Sequence, residues 1–102
     1  MQLVVDEFGA VRLENREIFT DFAVRAPVGT EIDRVGETLA SAGVGETADG
    51  HAWISAEAVT RLAEADGAGD DWRPGFEAMR KYARGKGWVR ADGAIRAHIG
   101  YS

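Results

Sequence analysis

Two histidines, three tryptophans and a basic C-terminal run are the residues of this sequence whose types could do chemistry. An imidazole changes charge near neutral pH, so His51 or His98 could serve as a general base or a metal ligand. A metal site needs its ligands grouped, and these two histidines have no local partner at ligand spacing. The alternative is an ordinary strand histidine. There is no cysteine, which removes disulfides, thiolate catalysis, iron–sulfur clusters and cysteine-type zinc sites. No metal and no other cofactor is expected. Ser55 reads as a helix cap, Ser41 as a helix end and Ser102 as the last residue, so no Ser-His-Asp arrangement is supported. Asp70-Asp71 could be an acid–base dyad, but capping of a following helix explains the pair better. No catalytic residue is assigned.

Two glycine-rich stretches also fail as phosphate sites. Gly43-Val44-Gly45 with Gly50 follows a helical pattern rather than a strand, and Glu46 and Asp49 would repel a phosphate. Gly85-Lys86-Gly87 falls at a helix C-terminus, where the dipole disfavours anions.

Trp53, Trp72 and Trp88 carry more information. A tryptophan has a large apolar ring and an N–H that needs a partner, so it serves in cores, in ligand pockets and at interfaces. The charge is also unevenly placed. The 102 residues carry a net −5, yet residues 1–71 hold 15 acids against 5 arginines and residues 72–102 hold 2 acids against 7 bases. Those bases are Arg73, Arg80, Lys81, Arg84, Lys86, Arg90 and Arg96. Such asymmetry fits complementary surfaces, within the fold or between copies, or a nucleic-acid face.

These residues need elements to position them. Leu3 and Val5, then Val11 and Leu13, then Ile18, Thr20, Phe22 and Val24 alternate at period two, with turns at Phe8-Gly9 and Asn15-Arg16. An N-terminal antiparallel β-meander over residues 2–25 is expected. Pro27 ends it. Thr30 reads as the cap of a helix over 31–42, whose stripe is Ile32, Val35 and Leu39. Gly43 closes that helix, with Val44 returning to Leu39. Residues 43–50 read as a loop and His51-Ala52-Trp53-Ile54 as a short strand. Ser55 caps a helix over 56–65, with Ile54 and Val59 as a hydrophobic staple and Glu57–Arg61 as an i, i+4 pair. A third helix follows over 72–86, capped by Asp70 or Asp71. It buries Trp72, Phe76, Met79 and Ala83. Asp92-Gly93 then joins two strands, 88–91 and 94–99, as a two-residue hairpin. The fold class is α+β in one domain, ordered β-β-β-α-β-α-α-β-β.

From residue 30 onward this order resembles the winged-helix arrangement. In that comparison the 72–86 helix matches the recognition helix, and Lys86-Gly87-Trp88-Val89 with Gly93-Ala94-Ile95-Arg96 matches the passage into the wing. The resemblance implies that Arg73, Arg80, Lys81 and Arg84 face a nucleic-acid groove, with Arg90 or Arg96 at the backbone. The C-terminal stretch is also similar to a group of small actinobacterial proteins without an established activity. Trp72, Phe76, Met79, Tyr82-Ala83, Gly87-Trp88-Val89 and Ile95-Arg96-Ala97-His98 carry that likeness. It implies an origin and a fold unit rather than an activity.

The expectation is a non-enzymatic binding or interaction domain, for a protein partner or for self-association. Its site is the basic helix face with Arg90 and Arg96, the three tryptophans and His51. One alternative is nucleic-acid binding through the winged-helix-like part. The other is a small-molecule or enzymatic pocket around His51 and Trp53. No apolar run reaches the roughly 18 residues of a membrane span, and no signal-peptide pattern opens the chain. No membrane partner is expected, and a cytoplasmic address is.

Overall fold

The computed structural model describes all 102 residues. Strand β1 (Gln2–Val5) and strand β2 (Val11–Glu14) pair antiparallel, with Leu3 opposite Leu13 and Val5 opposite Val11. The turn between them is tied by Asp6, whose carboxylate accepts the backbone N–H groups of Phe8 and Ala10 at 2.8 and 2.9 Å. The expected meander stops there. The third strand, β3 (Ala23–Ala26), lies on the other side of β1 and runs parallel to it. Residues 15–22 are a loop that steps across the start of β1, with Asn15 and Asp21 at φ 55° and 51°. Such left-handed turns break the alternation that Ile18, Thr20 and Phe22 suggest, and Ile18 is exposed. The amino group of Met1 donates to the Ile18 and Thr20 carbonyls at 2.7 and 3.0 Å.

Helix α1 (Ile32–Ser41) buries Val35 and Leu39 of the expected stripe, while Ile32, its first residue, is exposed. Thr30 is not its cap. Glu31 occupies that position without a side-chain bond, because the Thr30 hydroxyl donates to the Pro27 carbonyl at 2.7 Å within the preceding turn. The Val44 N–H returns to the Leu39 carbonyl at 3.0 Å and closes the helix. The expected loop at 43–50 is instead half of a hairpin. Strand β4 (Gly45–Ala48) pairs antiparallel with strand β5 (His51–Ile54). Asp49 and Gly50 turn the chain at φ 54° and 78°, the two left-handed positions a tight hairpin demands. Glu-Thr-Ala lacks the apolar alternation of a strand, and β4 is an edge strand supported by α1.

Helix α2 (Ala56–Ala65) starts as expected, with the Ser55 hydroxyl oxygen accepting the Ala58 N–H at 3.2 Å. The Glu57–Arg61 pair forms no ion pair; both side chains are exposed to water. Asp70 and Asp71 are not caps either. They belong to a 3-10 turn, Asp70–Trp72, that runs directly into helix α3 (Arg73–Gly85). The last strand, β6 (Ile95–Tyr101), is paired parallel to β3 and antiparallel to β5. Its expected partner at 88–91 contributes only the bridge Val89–Ile95, because β3 takes over that edge of β6 from His98 onward.

The result is mixed α+β: three helices and a six-stranded sheet in the order β2-β1-β3-β6-β5-β4. Leu3, Leu13, Val24, Ala52, Ile54 and Ile99 are buried on one side of it. The helices pack against it, α1 on β4 and β1, α2 on β2 and α3 on β6.

Candidate functional site

The side of α3 that matters for a site is set by helical spacing. Gly75, Ala78, Met79, Tyr82 and Ala83 recur at i, i+3, i+4, i+7 and i+8, so they share one face. Opposite that face lies the part of β6 that changes neighbours. At Ile95 its edge is bridged by Val89, with the Arg96 N–H donating to the Trp88 carbonyl at 2.8 Å; from His98 its neighbour is β3. Where two neighbours diverge along one strand, a crevice opens. Here it is a cavity of about 800 Å³ between α3, β6 and the 19–22 loop.

Its apolar lining comes from Phe19, Phe22, Met79, Tyr82, Trp88 and Ile95. Its polar groups are Thr20, Asp21, His51, Arg96 and His98. The loop wall is well anchored. Arg16 donates to the Asp66 carboxylate at 2.6 Å and to the Asp66 carbonyl at 2.8 Å. The buried Trp72 indole donates to the Arg16 carbonyl at 2.8 Å. Phe19 then lies over α3 at Gly75, where a Cβ would overlap its ring. Phe19 meets Trp72 tilted at a centroid separation of 6.0 Å, and Trp72 stacks on Phe76 at 4.8 Å.

The opposite wall is more open. Tyr82 is 62% exposed and meets the half-buried Trp88 edge to face at 6.1 Å. The Arg96 guanidinium lies 5.3 Å from the Trp88 ring centre, and the Lys86 ammonium 5.5 Å from that of Tyr82. Trp53 pairs with Arg96 across β5 and β6, and the same register, carried one step on, sets His51 opposite His98. His51 Nδ1 is 3.2 Å from the Asp49 carbonyl.

Of the residues singled out from sequence, the cavity gathers His51, Trp88, Arg96 and His98. The others lie elsewhere. Trp72 is core. Trp53 is covered by Arg90, whose guanidinium is 5.0 Å from its ring. Arg90 also bridges Glu46 at 2.7 Å and Asp92 at 3.0 Å, and those hydrogen bonds, Glu46 first, raise its pKa. Arg73 reaches Glu64 at 3.6 Å and Arg80 reaches Glu77 at 2.9 Å. Only Lys81 and Arg84 of the basic helix residues have no acidic partner and no ring beneath them. Part of the charge split is therefore met inside the fold, through Arg73–Glu64 and Arg90–Glu46.

Sequence reasoning missed Phe19, Thr20, Asp21, Phe22 and Tyr82 as site residues, and weighed His98 only as a base or metal ligand. The signal for Tyr82 was present: the small residues Gly75 and Ala78 share its helix face and leave room beside the helix. No group of three or more His, Asp or Glu side chains converges to hold a metal ion. No helix is long and apolar enough to cross a membrane. No protein-family model matches the chain, and neither a curated protein nor a solved structure is similar to it.

Proposed function

We propose that this protein is a small-molecule-binding domain whose ligand sits between α3 and β6. The observation that carries the reading is the cavity itself. Its roughly 800 Å³ and apolar lining with a few polar groups are what small-ligand sites present. The anchored 15–22 loop supports it, because a wall held before the ligand arrives lowers the ordering cost of binding.

N-Phenyl-1-naphthylamine, an uncharged fluorophore that brightens in apolar surroundings, tests this. Its emission should rise with the wild-type protein and fall back with Ala78→Trp, which fills the cavity from an exposed helix position. Circular dichroism checks that the variant is folded. No rise with wild type, or a rise unchanged by Ala78→Trp, would count against the reading.

A protein partner, a second copy first, is favoured by a different observation. β1, β3 and β6 end side by side, and Tyr101 (45% exposed) at the end of β6, with Phe8 (88%) and Val28 (77%) beyond β1 and β3, presents apolar surface. Sedimentation should then show concentration-dependent association that Phe8→Ser weakens, and a constant monomer mass would remove the idea. Salt-sensitive binding of duplex DNA, lost when Lys81 and Arg84 are neutralised, would instead favour a winged-helix-like role for α3.

A further inference from the structure

Most arginines of this chain are already engaged with carboxylates. Arg12 and Arg25 share Glu14, Arg16 holds Asp66, and Arg73, Arg80 and Arg90 hold Glu64, Glu77 and Glu46. Four have no acidic partner: Arg34, Arg61, Arg84 and Arg96. The first three are exposed to water, while Arg96 is half-buried and lines the cavity. A guanidinium partly withdrawn from water gains more from an anion than an exposed one does.

The geometry around Arg96 also selects. Its guanidinium lies against the Trp88 ring at 5.3 Å. Its side chain donates no hydrogen bond within the protein. His98 shares its side of β6, and His51 stands across from His98 in register. The cavity's one carboxylate, Asp21, makes no ion pair with Arg96; its field acts instead on the Met1 ammonium. The polar side of the cavity is thus donor-rich, and its apolar side is aromatic.

Resting on the small-molecule reading above, we propose that the ligand is an aromatic carboxylate and that Arg96 binds its carboxylate. Two parallel N–H groups of a guanidinium match the two oxygens of a carboxylate, and the Trp88, Tyr82 and Phe22 rings accept the aromatic body.

2-Naphthoate and its uncharged counterpart 2-naphthamide differ in the charged group alone, and titration of each with wild-type protein, Arg96→Gln and Arg96→Lys tests the proposal. Wild type should bind the naphthoate roughly tenfold or more tightly than the amide. Arg96→Gln should erase that preference, the naphthoate losing roughly tenfold more affinity than the amide. Arg96→Lys should retain part of it, having the charge without the fork. Equal wild-type affinities for the two probes would overturn the carboxylate proposal and leave the cavity reading standing. A preference that survives Arg96→Gln would overturn the assignment to Arg96. Failure of both probes, together with N-phenyl-1-naphthylamine, would overturn the cavity reading itself. Circular dichroism of both variants separates lost binding from lost folding.

Discussion

Trp72 does two things that no single contact reveals. Its ring stacks on Phe76 in the core, and its N–H holds the Arg16 carbonyl, so the core and the cavity wall share one side chain. Phe19 extends that link to the cavity, and it can lie so close to α3 only because residue 75 is glycine. Gly75→Ala should therefore destabilise by about 1–3 kcal/mol, the usual penalty for overfilling a packed contact. Phe19→Ala in the same chain should relieve the clash, so the double variant should lose less than the two single losses added together. Urea unfolding of the four proteins measures this. Additive losses would mean that Phe19 does not rest on Gly75.

At the scale of elements, local signals succeeded where the chain spends its polar groups locally. Ser55 caps α2 because its hydroxyl has no competing partner, and Ser55→Ala should cost about 1 kcal/mol in urea unfolding. Thr30 is also a favoured cap residue type, but its hydroxyl is taken by the Pro27 carbonyl. The strands show the same division. β5 alternates buried Ala52 and Ile54 with half-buried His51 and Trp53 and was legible. β4 has little apolar pattern and exists because α1 and β5 support it. The Asp49-Gly50 turn was a readable hairpin signal that the polar run before it concealed. Asp92-Gly93 does turn the chain, within a three-residue loop closed by the Arg90 N–H on the Ala94 carbonyl at 2.9 Å, but it joins β6 to one bridge rather than to a strand.

At the scale of the molecule, four ion pairs fasten separate segments: Arg16–Asp66, Arg25–Glu14, Arg73–Glu64 and Arg90–Glu46. Arg12 and Arg25 hydrogen-bond Glu14 from β2 and β3, on either side of β1, and hold its carboxyl below its ordinary value. The Ala94 N–H, then Arg90, do the same for Asp92. Both groups bind a proton less readily folded than unfolded. Their stabilisation is complete above the ordinary carboxylate range and is lost as pH falls through the lowered folded values. The urea midpoint should accordingly drop as pH falls below about 4, and drop less steeply in Glu14→Gln. An identical acid profile in wild type and variant would show that Glu14 contributes nothing to it.

Much of the candidate site was outside the reach of sequence reading, for a physical reason. Phe19, Asp21, Tyr82, Arg96 and His98 come from a loop, a helix and a strand, and no spacing along the chain relates them. Hydrophobic period determined the three helices, most of their buried stripes, β1, β2 and β5, because it depends on neighbours within a few residues. The absence of cysteine likewise settled which chemistries were unavailable. The tertiary structure alone decided that β3 runs parallel to β1 and that β6 passes from Val89 to β3 as its neighbour. That exchange of neighbours opens the cavity. It also turns Arg96 from one base among seven into the half-buried arginine without a carboxylate.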